Sequence, residues 1–120
     1  MLNQKILHMD KKVLHLSVNK QWFKMIADGT KDEEYREIKQ YWISRLLEGH
    51  YDISRLLQFG ENVPEDLHWR DYTHVVFTHG YGDDKPHIEK QIVNISIGKP
   101  QQGLCPNQWI NKCFFVIKFI

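Results

Sequence analysis

The segment on which the rest of the fold depends reads Asp28-Gly29-Thr30-Lys31-Asp32-Glu33-Glu34-Tyr35-Arg36. It follows a stretch in which Trp22, Phe23 and Ile26 recur at helical spacing, and Gly29 stands at the C′ position where helices commonly end. Acidic and basic residues then crowd together immediately after the glycine. We therefore expect a helix, a turn and then a charged segment.

The residues before this segment predict a strand and the start of the helix. From Val13 to Val18 the side chains alternate, with Leu14, Leu16 and Val18 on one face, which is the period of a half-buried strand. Asn19 is placed to cap the helix that follows.

The residues after the glycine are ambiguous when periodicity alone is considered. Apolar side chains recur at three- and four-residue steps through residues 35–46. This spacing favours one helix from about residue 32 to residue 47.

Within the charged segment, Gly29, Lys31, Glu34 and Arg36 are spaced as G-x-K-x-x-E-x-R. This pattern resembles that of the ASCH domains, a branch of the PUA-like barrels associated with RNA. Three further elements also resemble the family. Leu16-Ser17-Val18 with Trp22-Phe23 resembles its opening, and Phe77-x-x-Gly80-Tyr81 resembles a phenylalanine–glycine–tyrosine element. Val116-Ile117-Lys118-Phe119 resembles its last strand. The resemblance thus covers most of the chain.

The resemblance implies a strand through Glu33 to Ile38 and a helix from about Gln40 to Glu48. We adopt this interpretation in place of the single long helix. On such a strand Glu34 and Arg36 project from the same face, because side chains alternate with period two. Lys31 precedes the strand, and only a turn at the preceding glycine could bring it to join them.

The expected fold class for residues 1–120 is α+β, as one domain. It is a small PUA-like mixed β-barrel with one to three short helices inserted near the N-terminal half. Further strands are predicted at Tyr72–His79, at His87–Ile97 with a bulge near Ile92 and Val93, and at Cys113–Ile120, which is apolar on both faces.

The resemblance implies an RNA- or nucleotide-binding module whose ligand contacts Lys31, Glu34, Arg36 and Tyr81. Some small members of the family are hydrolases that act on acetylated cytidine. The alternative is therefore a hydrolase of an acylated nucleoside or RNA, with Lys31 and Glu34 as catalytic residues. Glu34 departs from those enzymes, which carry a threonine nucleophile there, because a carboxylate does not support the same acyl-transfer scheme. A third hypothesis is an interaction domain whose charged segment is purely structural.

The charge of the chain excludes a globally basic surface, since the formal net charge is +1. A local basic patch is expected if the lysines of the first quarter share a face: Lys11, Lys12, Lys20, Lys24 and Lys31. On the RNA-binding hypothesis, Lys31→Ala and Arg36→Ala should weaken binding, whereas Lys112→Ala should not.

The remaining features predict what the chain lacks. No apolar run is long enough to cross a bilayer, so a cytoplasmic protein without a membrane partner is expected. The seven histidines and two cysteines show no tight metal-ligand spacing, so we expect neither a metal site nor a cofactor.

Trp22, Trp42 and Phe115 are expected in the core, and the oligomeric state stays open.

Overall fold

The computed structural model describes residues 10–52, 56, 67–80 and 84–120. The described elements are β1 (Val13–Val18), α1 (Lys20–Asp28), β2 (Glu33–Arg36), α2 (Gln40–Leu46), β3 (His74–His79), β4 (His87–Gly98) and β5 (Phe114–Phe119). A short 3-10 helix at Asn107–Trp109 lies in the loop before β5. The predicted α+β class, with short helices in the N-terminal half, is confirmed. Among the described residues, no helix is long and apolar enough to cross a membrane.

Helix α1 begins and ends as the sequence predicts. Asn19 accepts a hydrogen bond from the backbone N–H of Trp22 at 3.2 Å, which satisfies a donor of the first turn. Gly29 adopts a left-handed backbone with a φ of 87° and ends the helix. The N–H of Lys31 then bonds to the carbonyl of Met25 at 3.0 Å, so the chain turns back along the helix before β2 begins.

Residues 33–36 form a strand, so the single long helix that periodicity favours is wrong. Strand β2 pairs antiparallel with β5 and places Glu34 opposite Ile117. It is two residues shorter than predicted at its end, and α2 follows close to the predicted position. Periodicity misleads because Tyr35 packs with the loop before β5, whereas α2 packs on the main core.

The described strands form one five-stranded mixed sheet in the order β1-β3-β4-β5-β2. Strands β1 and β3 run parallel, and the other neighbours run antiparallel. The predicted bulge in β4 is confirmed by a shift of register between Ile92 and Asn94. Strands β1 and β2 are the edges of the described sheet, so it is not a closed barrel and the predicted PUA-like mixed β-barrel is not confirmed. Local sequence patterns specify strands, but they do not specify whether the first and last strands pair.

Strand β5 separates two apolar clusters. Successive side chains point to opposite faces, so Phe115 and Ile117 enter the main core, while Phe114 and Val116 join Tyr35 in a smaller cluster. The predictions of a doubly buried last strand and of Phe115 in the core are confirmed. The register places Glu34 and Arg36 of β2 opposite Ile117 and Phe115, on the main-core face of the sheet.

The two edge strands are bridged by one side chain. Nη2 of Arg36 in β2 donates to the carbonyl of Ser17 in β1 at 2.9 Å. Nη1 of the same guanidinium donates to the carbonyl of Tyr35 at 2.8 Å. The gap between Ser17 and Arg36 is the seam of the sheet, and a guanidinium spans it where a closed barrel would have backbone hydrogen bonds.

Candidate functional site

A cleft of about 550 Å³ opens at the seam. Its lining includes Ser17 from β1, Trp22 from α1, Glu34 and Arg36 from β2, Tyr41 and Trp42 from α2, and residues 104–106 and Trp109 from the loop before β5. This seam cleft therefore combines one ion pair with several aromatic rings. Its walls come from segments that are far apart in sequence, so only the folded sheet assembles it.

Glu34 is the acidic group of the seam cleft, and its side chain is 8% exposed. Its Oε2 lies 2.9 Å from Nη1 of Arg36. Its Oε1 lies 3.4 Å from Nζ of Lys31 and accepts the backbone N–H of Tyr35 at 3.0 Å. A buried carboxylate requires such partners because its desolvation is costly. The predicted pairing of Glu34 with Arg36 on one strand face is confirmed.

Lys31 is enclosed behind the wall of the cleft, with a side-chain exposure of 0%. Its Nζ donates to the carbonyl of Leu104 and lies 4.7 Å from the ring centre of Tyr35 and 5.3 Å from that of Trp22. Burial lowers the pKa of Lys31, and the carboxylate of Glu34 partly offsets this effect. Lys31 therefore supports the cleft wall from behind.

Arg36 lines the seam cleft directly, with 16% of its side chain exposed. Its guanidinium carbon lies 5.3 Å from the ring centre of Trp42, within the range of a cation–π contact. Together with Glu34 and the carbonyl of Ser17, this ring fixes the orientation of the guanidinium. The arginine is thus both the bridge across the seam and a basic group at the cleft surface.

The loop before β5 is fastened to β2 at two points. Lys31 holds the carbonyl of Leu104, and the phenol oxygen of Tyr35 accepts the backbone N–H of Gln101 at 3.1 Å. The same phenol donates to Oε1 of Glu33 at 2.8 Å, and burial raises the pKa of Tyr35, which keeps the donor proton in place. These contacts hold the loop against the strand as one wall of the cleft.

Cys105 contributes a thiol to this wall. Its Sγ donates a weak hydrogen bond to the carbonyl of Gln101 at 3.6 Å. Burial raises the pKa of Cys105, so the thiol stays protonated at neutral pH. Cys105 and Cys113 are both free thiols. The geometry gives Cys105 a packing role.

The structure brings together three of the four residues predicted to bind the ligand. Lys31, Glu34 and Arg36 form one contiguous cluster, which the turn at Gly29 makes possible. Tyr81 lies outside the described residues. The binding and catalytic roles of these residues stay predictions.

Sequence reasoning missed the aromatic part of the cleft. Trp22 and Trp42, which are predicted in the core, do pack against it, but they are only half-buried and also line the seam cleft. Each lies four residues before a buried residue of its helix, Ile26 or Leu46, and so shares a helix face with it. Periodicity therefore does not separate a cleft position from a buried one. Trp109 was not singled out, and it too is half-buried and lines the seam cleft.

Three of the five lysines that the sequence predicts to form a basic patch do not contribute to one. Lys11 pairs with Glu89 at 2.9 Å, and Lys12 pairs with Asp71. Lys31 is enclosed and faces the interior. Lys20 and Lys24 are exposed and four residues apart on α1, so they are the part of the predicted patch that remains.

Comparisons of the chain with protein-family models, with curated proteins and with solved structures found no match. Within the described ranges, no group of three or more His, Cys, Asp or Glu side chains is arranged to hold a metal ion. The protein is therefore described by its own fold and site, which are an open mixed sheet and a cleft at its seam that contains an ion pair and aromatic rings. Membership of the ASCH family stays a prediction.

Proposed function

We propose that the protein is a binding module that holds a nucleotide or a short single-stranded RNA in the seam cleft. The observation that carries this proposal is the composition of the lining. The ion pair of Glu34 and Arg36 lies among the rings of Trp22, Trp42 and Trp109. Aromatic rings stack on nucleobases, and an arginine beside a carboxylate offers both donors and acceptors to a base edge or a phosphate.

The ion pair keeps hydrogen-bonding capacity for such a ligand. A guanidinium carries about five N–H donors, and the contacts of Arg36 with described residues use three of them. A carboxylate offers about four acceptor positions, and the described partners of Glu34 use three. A ligand can therefore bond to both groups while the ion pair stays intact.

The proposal includes membership of the ASCH branch of the PUA-like barrels. Its support is that the spaced residues Lys31, Glu34 and Arg36 meet at the wall of the cleft instead of scattering over the surface. On this interpretation the sheet is a barrel in which the contact of Arg36 with Ser17 replaces the last strand pairing.

A hydrolase of an acylated nucleoside is the second candidate, and one observation favours it. Glu34 lines the cleft, and Nζ of the enclosed Lys31 lies 3.4 Å from its Oε1. Glu34 would accept a proton from a water whose oxygen bonds to the acyl carbon. The amide C–N bond would then break as Glu34 returns that proton to the departing nitrogen, which leaves the carboxylic acid and the free amine. Lys31 would act through Glu34, because its own ammonium is enclosed.

Titration with a short single-stranded RNA, followed by tryptophan fluorescence, tests the proposal. We expect saturable binding whose affinity falls only gently with salt. The slope of log K against log salt should be no steeper than about −1.4, which corresponds to about two phosphate contacts. The slope is shallow because the basic group in the seam cleft, Arg36, is shared with Glu34.

Lys11→Ala is a suitable control, since it removes a cation from an exposed ion pair outside the cleft and should leave the affinity unchanged. Absence of saturable binding at low salt would contradict the binding proposal. Chromatography after incubation with acetylcytidine separates the two candidates. Unchanged acetylcytidine supports the binding module, and released acetate would favour the hydrolase.

A further inference from the structure

The seam cleft is the middle of a longer depression. A cavity of about 370 Å³ shares Asn19, Trp22 and Pro106 with it on one side. A cavity of about 330 Å³ shares Arg36, Trp42 and Trp109 with it on the other. The shared lining residues place each outer cavity next to the cleft, and together the three make up one extended site. We refer to it as the seam groove.

Tryptophans stand at both boundaries between the seam cleft and the outer cavities, Trp22 at one and Trp42 with Trp109 at the other, and each ring has a group close to it. Lys31 lies near the ring of Trp22, and Arg36 lies near that of Trp42. Trp109 stacks on Phe114, with ring centres 4.8 Å apart and planes 18° from parallel. Rings held in this way are preorganised platforms for stacking.

The two outer cavities differ in chemistry. The first is lined by the neutral amides of Asn19, Gln21 and Asn107, so we name it the amide cavity. The second contains Lys112 and Glu37, whose charged atoms are 3.5 Å apart, and we name it the lysine cavity. The side chain of Lys112 is 56% exposed, and an exposed ion pair is weak. A phosphate can therefore take the place of the carboxylate beside Lys112.

Size decides how much ligand the groove holds. Cavities from about 300 Å³ upward accommodate a whole small-molecule ligand. Each of the three parts of the seam groove reaches that size. A single nucleotide would fill one part and leave the other two parts empty.

We infer that the seam groove takes a single-stranded oligonucleotide of at least three nucleotides, with a base beside each tryptophan and a phosphate beside Lys112. This inference rests on the proposed function and extends it from a single nucleotide to a chain. It assigns Lys112 a role in binding, contrary to the expectation from sequence. Its position in the lining of the same cavity as Trp42 is visible only in the folded protein.

A length series tests the inference on the intact protein. Adenosine monophosphate and oligoadenylates of two, three and four nucleotides are titrated under one salt condition. We expect the affinity to rise about tenfold with each added nucleotide up to three, as stacking on successive rings predicts. Equal affinity for the monophosphate and the trinucleotide would overturn the inference and leave the proposed function standing. Failure of every length to bind would overturn both.

The variant Lys112→Ala is the second test of the inference. Because the side chain of Lys112 is exposed, the substitution should leave the protein folded. We expect a severalfold loss of affinity for the trinucleotide and none for the monophosphate. Lys39→Ala is the matched control, because Lys39 also pairs with Glu37, at 3.8 Å, but does not line the groove. An equal loss for both ligands, no loss for either, or the same loss in the control would contradict the assignment.

Discussion

Replacing Glu34 with alanine is expected to lower the free energy of unfolding by about 3–5 kcal/mol, the range for a buried ion pair that loses one partner. The reason is the position of Lys31, whose ammonium is fully enclosed and has Glu34 as its acidic partner at 3.4 Å. Without the carboxylate, this ammonium and the guanidinium of Arg36 remain close together with no negative charge between them. Chemical denaturation of the wild type and the variant measures the loss.

Lys31→Met should cost less, about 1–3 kcal/mol, because its main consequence is an unpaired carbonyl at Leu104. Glu34 would still be held by Arg36 and by the backbone. The double variant Lys31→Met/Glu34→Ala should therefore be more stable than Glu34→Ala alone. Strict additivity of the two losses would show that the side chains are not coupled.

The same pair predicts a dependence on pH. Burial lowers the folded-state pKa of Lys31 below its ordinary 10.5, and Glu34 raises it again in part. Between the folded and unfolded pKa values the unfolded chain binds a proton that the folded chain has released, so stability rises with pH in that window. Without Glu34 the folded-state pKa of Lys31 falls further, so this range extends to lower pH. The stability deficit of Glu34→Ala should therefore shrink as the pH is raised towards 10.5.

Arg36→Ala is expected to weaken ligand binding by about 10- to 100-fold, the effect of losing charge-assisted hydrogen bonds. The variant removes the donors that line the seam cleft and also the bridge to Ser17. Arg36→Lys keeps the charge but cannot reach Ser17, Tyr35 and Glu34 together, so it should restore only part of the affinity.

Arg70→Ala is the matched control for this measurement, since Arg70 is an exposed arginine that bonds to a carbonyl of α2 and lies outside the lining of the groove. Affinities are compared at temperatures where denaturation shows every variant to be folded. Full affinity in folded Arg36→Ala would place the ligand elsewhere on the protein.

Local sequence signals were enough to predict the framework of the site. The cap at Asn19, the left-handed glycine at position 29 and the strand alternation of residues 13–18 are set by contacts within a few residues, and all are confirmed. The side-by-side placement of Glu34 and Arg36 follows from the period of a strand once that strand is assigned. The assignment itself needed the family pattern, because periodicity over residues 35–46 favoured a helix.

The parts that could not be predicted depend on contacts between distant segments. Whether β1 and β2 pair, or stay apart with Arg36 between them, is decided by strand order across the whole sheet. The position of Trp109 depends on the loop that Lys31 holds through Leu104. Trp42 has the spacing of a core residue, and only the opening at the seam leaves it half-exposed to a ligand.

The four tryptophans provide the most direct measurement of where the ligand binds. Trp22, Trp42 and Trp109 line the seam groove, whereas Trp69 packs edge-on against the core residue Phe115 with ring centres 5.9 Å apart. Each indole N–H gives its own NMR signal, which single tryptophan-to-phenylalanine variants assign. On titration with a trinucleotide RNA, the signals of the three groove tryptophans should shift together while that of Trp69 stays in place. A titration that saturates with those three signals unmoved, or with only Trp69 shifted, would contradict a binding site at the seam.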